Sequence, residues 1–472
     1  MARGSAVILD VGKTNAKLTL WDGQGRLVAR RSRPNQTPSG PGYRALDVEG
    51  LETWLEQGLR AFAGLADVRA IVPVAHGAAA SLVHDGAVFA PPMDYEDEGG
   101  DGERAAYAAQ RDSFEATGSP LLPQGLNLGF QLHRLEQVTG PWPDALKILP
   151  WPQHWAWRLS GVMASEVSSL GCHTDLWRPS EACPSALARG RGWADRLAPL
   201  RRAGDVLGPI TPEWARRTGL PADCVAHCGL HDSNAAFLAA RAHGESSGAE
   251  ATVLSTGTWF VAMRALGPAA ARPAFGITHE GRDCLVNVDV EGRLVPSARF
   301  MGGREADLIR GADSSHPAGP DDPGAIAGKL ADLVAAGVSI LPSFAPGVGP
   351  FPRRRGRWIG RPQSAADRRC ALGLYLALMA DQMLQLVGAR ERLLIEGPFA
   401  EDAVLVRALA TLRRDEAVYV SNAPDQVAHG ALRLIWPDLA PPPPLRRVEP
   451  LDVALDAYRD RWQAAVRAEA DD

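Results

Sequence analysis

No apolar run in the chain approaches the ~20 residues that a membrane-crossing helix needs, so no membrane partner is expected. The first residues carry no signal-peptide core and lead into a strand, which points to a cytoplasmic protein. Positive charge is not in excess. Fifty Lys and Arg face 55 Asp and Glu, a net charge of −5, which removes any general attraction to nucleic acid or anionic lipid. Cysteine is scarce: the six lie scattered at 172, 183, 224, 228, 284 and 370, without disulfide-scaffold spacing, as suits a reducing compartment. What the chain does have is apolar residues, 46% of 472, enough for the cores of two or three domains.

Ala6 to Arg30, AVILDVGKTNAKLTLWDGQGRLVAR, organises the rest. Val7 to Leu9 is a continuous apolar run, as in a strand buried on both faces. Gly12 to Asn15 makes a tight turn. Lys17, Thr19 and Trp21 then alternate with Ala16, Leu18 and Leu20 as in a half-buried strand, and Asp22 to Gly25 turns into a third strand at Arg26 to Arg30. Asp10 therefore ends a buried strand beside a turn of small residues with exposed N–H groups. That pairing suits a magnesium–phosphate group, the nest taking phosphate oxygens and the acid taking Mg²⁺ directly or through water. Gly12-Lys13-Thr14 mimics the end of a Walker P-loop, but the required earlier glycine is replaced by Val7, and a strand follows where a helix is needed.

The segment Asp10 to Lys17 resembles the first phosphate motif of the actin-like ATPase superfamily, and within it of the FGGY carbohydrate kinases. The resemblance covers most of the chain. It implies an α/β fold of two ribonuclease H-like domains with a cleft between them, set at 1–244 and 245–472 with a hinge near Gly244 to Gly248. It also implies ATP and Mg²⁺, with Asp10 holding the metal and Gly12, Lys13, Thr14, Asn15 and Lys17 lining the nucleotide side. The opening pattern recurs at Ala251 to Met263, where Thr256, Gly257 and Thr258 form a second phosphate turn. Ser255 stands at the position matching Asp10, so one metal-anchoring acid is expected. Gly397, in Glu396-Gly397-Pro398, aligns with one glycine of the family's adenosine turn; the other is absent.

For the sugar, the family's proline, aromatic-x-Asp loop matches at Tyr95-Glu96-Asp97, and His76-Gly77 ends a nearby strand. Gln153 stands where family members often carry an Asp near the sugar, and His231 precedes the candidate base. Trp151, Trp155 and Trp157 read as core, with stacking on a sugar face as the alternative. Glu166 is placed on a strand after the helix that ends in Leu159-Ser160-Gly161. Arg353 to Gly360 reads as a basic loop matching a family element at Arg355, Gly356 and Gly360. A last amphipathic helix is placed at about Leu451 to Glu469.

Gly229 to Asp232 matches the family's Gly-x-x-Asp catalytic segment, which makes Asp232 the candidate general base for a sugar hydroxyl. Its competing role is a cap on a helix at Ala235 to Ala242. Cys224, His227, Cys228 and His231 have zinc-like spacing, but a strand there turns the cysteines to one side and His227 to the other. No G-x-S-x-G elbow surrounds Ser233. His231-Asp232 and the Ser255 to Trp259 turn look most like the rhamnulokinase and L-fuculokinase branch, which implies an L-ketose such as L-fuculose or L-rhamnulose. An actin-like ATPase that works by conformational change, without a sugar, is the other class. Whether the chain forms a homodimer is open.

Overall fold

The computed structural model describes residues 3–267, 279–311 and 322–468. The chain forms two compact units, one of residues 1–241, 286–294 and 425–441, the other of 242–285, 295–424 and 442–472. The sequence suggests one division at 244/245; in the structure two later segments return to the first unit. Among the described residues no helix is long and apolar enough to cross a membrane.

The first unit is built on β1 (Ser5–Val11), β2 (Asn15–Trp21), β3 (Leu27–Pro34), β4 (Val68–Ala75), β5 (Val206–Pro209), β6 (Val225–His227) and β7 (Leu230–His231). Their order is β5-β6-β4-β1-β2-β3, with β7 also paired to β4. β1 runs antiparallel to β2 and parallel to β4, and its apolar residues are covered on both faces, Val7 and Leu9 in one buried cluster and Ala6 and Ile8 in another. One cluster packs Leu51, Leu55 and Leu59 of the helix Val48–Ala63 with Trp151 and Trp155 against Val7, Leu9 and Ile71. The tryptophans are core, as expected. On the other face, the helix Gln426–Ile435 packs on Asp232–Ala240, and a Cβ at Gly430 would lie 1.8 Å from the carbonyl of Ala235.

The second unit repeats the plan. Its sheet is made of β8 (Ala251–Thr256), β9 (Phe260–Ala265), β10 (Cys284–Val288), β11 (Leu294–Phe300), β12 (Arg392–Glu396), β13 (Ala417–Ser421) and β14 (Arg446–Arg447), in the order β10-β11-β9-β8-β12-β13-β14; the end of β10 and the first residue of β11 fall in the segment 286–294 counted with the first unit. β8 pairs antiparallel with β9 and parallel with β12, as β1 does with β2 and β4. The helix Ala365–Leu386 is buried along most of its length in this unit's core.

Four expected elements differ. Glu166 is not on a strand; its carboxylate accepts from the N–H groups of Ser168 and Ser169 and caps the helix Val167–Leu170. The helix expected at Ala235 to Ala242 runs from Asp232 to Ala240, with His231 at its N-cap, so Asp232 lies inside the first turn and does not cap it. Within the basic loop, Arg357–Ile359 pairs with Ser339–Leu341 as a strand. The last helix begins at Asp456. Leu451 is instead held by its N–H donating to Thr411 Oγ1, right after Pro450, and Glu469 lies outside the described residues.

Candidate active site

In the first unit three parallel strands end level. Asp10 of β1, Val74 of β4 and Leu230 of β7 stand abreast, and Val11, Ala75 and His231 form the next row. The carboxyl ends of parallel strands are where α/β folds place ligands. β7 can reach β4 because Gly229 takes a φ of +79°; a Cβ there would lie 2.1 Å from the carbonyl of Pro73. This is the physical reason for glycine in Gly229 to Asp232.

Asp10 keeps partial exposure, yet enough protein surrounds it that burial pushes its carboxyl up to about 7. The carboxylates of Asp232 and Asp425 push the same way, and Lys17, opposite on β2, pulls back. In the turn, the Gly12 N–H donates to the Asn15 carbonyl at 3.1 Å. Asn35 binds the carbonyls of Gly12 and Lys13 through its amide and that of Thr14 through its N–H. Oxygens that would repel a phosphate are thus engaged.

A dense polar cluster lies alongside. The N–H of His76 donates to the Val11 carbonyl at 3.3 Å, and its ring packs edge-on to Tyr95 with centroids 5.6 Å apart. Lys13 is turned to the Tyr95 loop: its ammonium pairs with Asp94 and, at 3.3 Å, with Glu96, and lies 4.9 Å from the Tyr95 ring centroid. Gly77 makes room for the cluster, since a Cβ there would lie 2.6 Å from Cys172 Sγ and 3.1 Å from the His231 ring. Burial lowers the pKa of both His76 and His231, favouring neutral rings. On Asp232, Oδ1 accepts from the Ser233 N–H at 2.6 Å and Oγ at 3.3 Å and lies 3.3 Å from His231 Nε2. Its Oδ2 has no hydrogen-bond partner among the described residues.

In the second unit, Thr256 Oγ1 donates to the Glu396 carbonyl at 2.6 Å and accepts from the Phe399 N–H at 3.2 Å, tying the end of β8 to the turn after β12. Gly397 in that turn has a φ of +90°. The Gly257 N–H donates to the Trp259 carbonyl at 3.0 Å, closing a turn one residue shorter than the one at Gly12. Glu396 pairs in register with Ser255, and burial pushes its carboxyl up to about 7.

Residues 248–442 match the carbohydrate kinase FGGY, C-terminal domain. A carbohydrate kinase of known structure from Novosphingobium aromaticivorans is 48% identical to the chain and superposes with a TM-score of 0.91, over 98% of this chain and 100% of that one. The chain belongs to the FGGY carbohydrate kinase family. An L-fuculokinase from Salmonella typhi is 25% identical over 281 residues, which span 56% of this chain and 57% of that enzyme. A xylulose kinase from Rhodospirillum rubrum, 20% identical, shares the fold with a TM-score of 0.73 over 99% of this chain and 98% of its own.

In this FGGY chain the first unit brings together Asp10, Gly12, Lys13, His76, Gly77, Tyr95, His231 and Asp232. Thr14, Asn15 and Lys17 are exposed beside them. In the second unit Thr256, Gly257 and Gly397 adjoin, and Thr258 is exposed on the turn. Two candidate sugar residues have structural partners instead. Asp97 accepts from Arg134 and from the Arg44 N–H, and Gln153 is fully buried with its amide donating to the carbonyls of Cys228 and Gly229. Sequence reasoning missed Asp94, Asn35, Asn234 and Asp425. Asp94 sits in the very loop that was singled out, and an acid beside proline and tyrosine was the available signal. Asp425 had none, since helix packing delivers it.

Among the described residues no three His, Cys, Asp or Glu side chains form a metal cage. Asp10, crowded by two other carboxylates, is the group a cation would relieve.

Proposed function

We propose that this chain transfers the γ-phosphoryl group of ATP to a hydroxyl of a small sugar, with Asp232 as general base. The carrying observation is the polar cluster beside Asp232. Buried there or nearby, His76 Nδ1, Asp94 Oδ2 and Asn234 Oδ1 have no hydrogen-bond partner among the described residues. Buried polar atoms are costly unless paired, and a polyhydroxyl ligand supplies partners. The sugar oxygen attacks the γ-phosphorus and forms the new O–P bond. The bond to the β–γ bridging oxygen breaks, ADP leaves, and the hydroxyl proton passes to Asp232 Oδ2. Neutral His76 and His231 add no positive charge that would weaken the base. Asp10 would hold Mg²⁺, directly or through water, and Gly12, Thr14, Asn15 and Lys17 would face the phosphates. In the second unit, Thr256, Gly257, Thr258 and Gly397 are the candidates for nucleotide contacts. Mg²⁺, when bound, neutralises charge on the phosphates.

The partial likeness to an L-fuculokinase supports an L-ketose, L-fuculose or L-rhamnulose, as the acceptor. A coupled ADP-release assay over L-fuculose, L-rhamnulose, D-xylulose, gluconate and glycerol tests this. The L-ketoses should give the highest kcat/KM. A stronger response to D-xylulose or glycerol would overturn the substrate, and ATP hydrolysis indifferent to every sugar would overturn the kinase reading.

A further inference from the structure

We propose that Asn234 is a positioning residue that holds His231 in the tautomer whose Nε2–H faces Oδ1 of Asp232, leaving Oδ2 as the basic oxygen. This rests on Asp232 being the base. Nε2 of His231 lies 3.3 Å from that Oδ1. An ionised carboxylate only accepts, so Nε2 carries the proton. Burial favours the neutral ring, which has one N–H, and Nδ1 is therefore left as an acceptor. The amide nitrogen of Asn234 lies 3.3 Å from Nδ1 and supplies the donor. Its own Oδ1, buried without a partner, does not set the amide's orientation; the ring does.

The ring has little room to turn away. Its Cδ2 and Nε2 edge faces Gly77, where a Cβ would lie 3.1 Å from both atoms. The His231 N–H donates to Ser168 Oγ at 3.4 Å, and Ser168 Oγ donates to the buried Glu166 carboxylate at 2.6 Å. The titratable groups around the ring are Asp232, which favours its charged form, His76 across β4, and Cys172 beyond Gly77. Oδ1 of Asp232 then takes two hydrogen bonds from Ser233 and faces the His231 N–H. Hydrogen bonds to a charged oxygen fix its place and lower its basicity. The proton of the substrate hydroxyl is directed to the other oxygen.

The test is long-range ¹H–¹⁵N NMR of ¹⁵N-histidine-labelled full-length protein, with His231→Gln identifying the His231 signals. The wild type should show Nε2 protonated and Nδ1 bare. Asn234→Asp accepts but cannot donate, so it should draw a proton onto Nδ1, cut kcat tenfold or more with an unchanged KM for ATP, and move the acid limb of the pH–rate profile. Asn234→Ala should give a mixture of tautomers and a smaller loss, and it serves if the Asp variant does not fold. A wild-type His231 protonated at Nδ1, or variants whose ring signals match the wild type, would overturn the proposal. The ring signals need no substrate, so a failed search for a sugar leaves this result independent.

Discussion

A Cβ atom added at Gly397 would lie 2.1 Å from the carbonyl oxygen of Thr256, and the backbone at Gly397 has a φ of +90°. Both facts demand glycine. The two residues belong to neighbouring turns of the second unit, joined further by the Thr256 hydroxyl on the Glu396 carbonyl. Gly397→Ala should force these turns apart, at about 1–3 kcal/mol of strain. Binding of ATP, measured by titration calorimetry, should weaken at least tenfold while sugar binding holds. An unchanged ATP affinity would separate this turn from the nucleotide.

Asp10 carries a pH signature. Its folded pKa, about 7, is above its ordinary value of 3.8, so the stability it contributes is present below about pH 4 and is lost as pH rises through 7. Without magnesium, Asp10→Asn should therefore gain stability over the wild type progressively between pH 4 and 7, then hold a constant lead. Thermal unfolding across that range measures it. Mg²⁺ should narrow the lead by stabilising only the wild type at pH 8. A lead independent of pH would mean that Asp10 is not desolvated.

Asp232→Asn should bind sugar and ATP normally and lose roughly 10²–10⁴-fold in kcat. The amide keeps the shape and removes the basic oxygen. Near-normal turnover would exclude Asp232 as the base.

Asp97 and Arg134 form a buried ion pair, with each side chain about one-tenth exposed. Asp97→Ala leaves that guanidinium with only the half-exposed Glu103, 3.0 Å from its Nε, and should cost ~1–3 kcal/mol, seen as a lower denaturation midpoint. Asp94→Ala should instead act mainly on the KM for sugar. If the Asp97 variant is fully stable and loses sugar affinity, the roles are reversed.

These contrasts also mark what was legible in sequence. Both hairpins were, because an apolar strand, a glycine turn and an alternating strand are local patterns. Gly229 and Gly397 were legible as glycines, and the structure adds the carbonyls of Pro73 and Thr256 that require them. The choice between Asp94 and Asp97 was not. It depends on Lys13, 81 residues from Asp94, and on Arg134, 37 residues from Asp97. Asp425 reaches Asp10 only because Gly430 lets one helix lie against Ala235. Glu166 looked like a strand residue, yet the serines that follow supply the N–H groups it caps. The start of the last helix was misplaced because apolar spacing continues through Leu451 and Leu455, which pack in the core without being helical.

The most direct measurement is ³¹P NMR of the protein with Mg·ATP, with and without L-fuculose or L-rhamnulose. The account predicts a new sugar phosphate monoester and ADP in equal amounts, only when sugar is present, and neither with Asp232→Asn. Inorganic phosphate accumulating at the same rate whether or not sugar is added would contradict it.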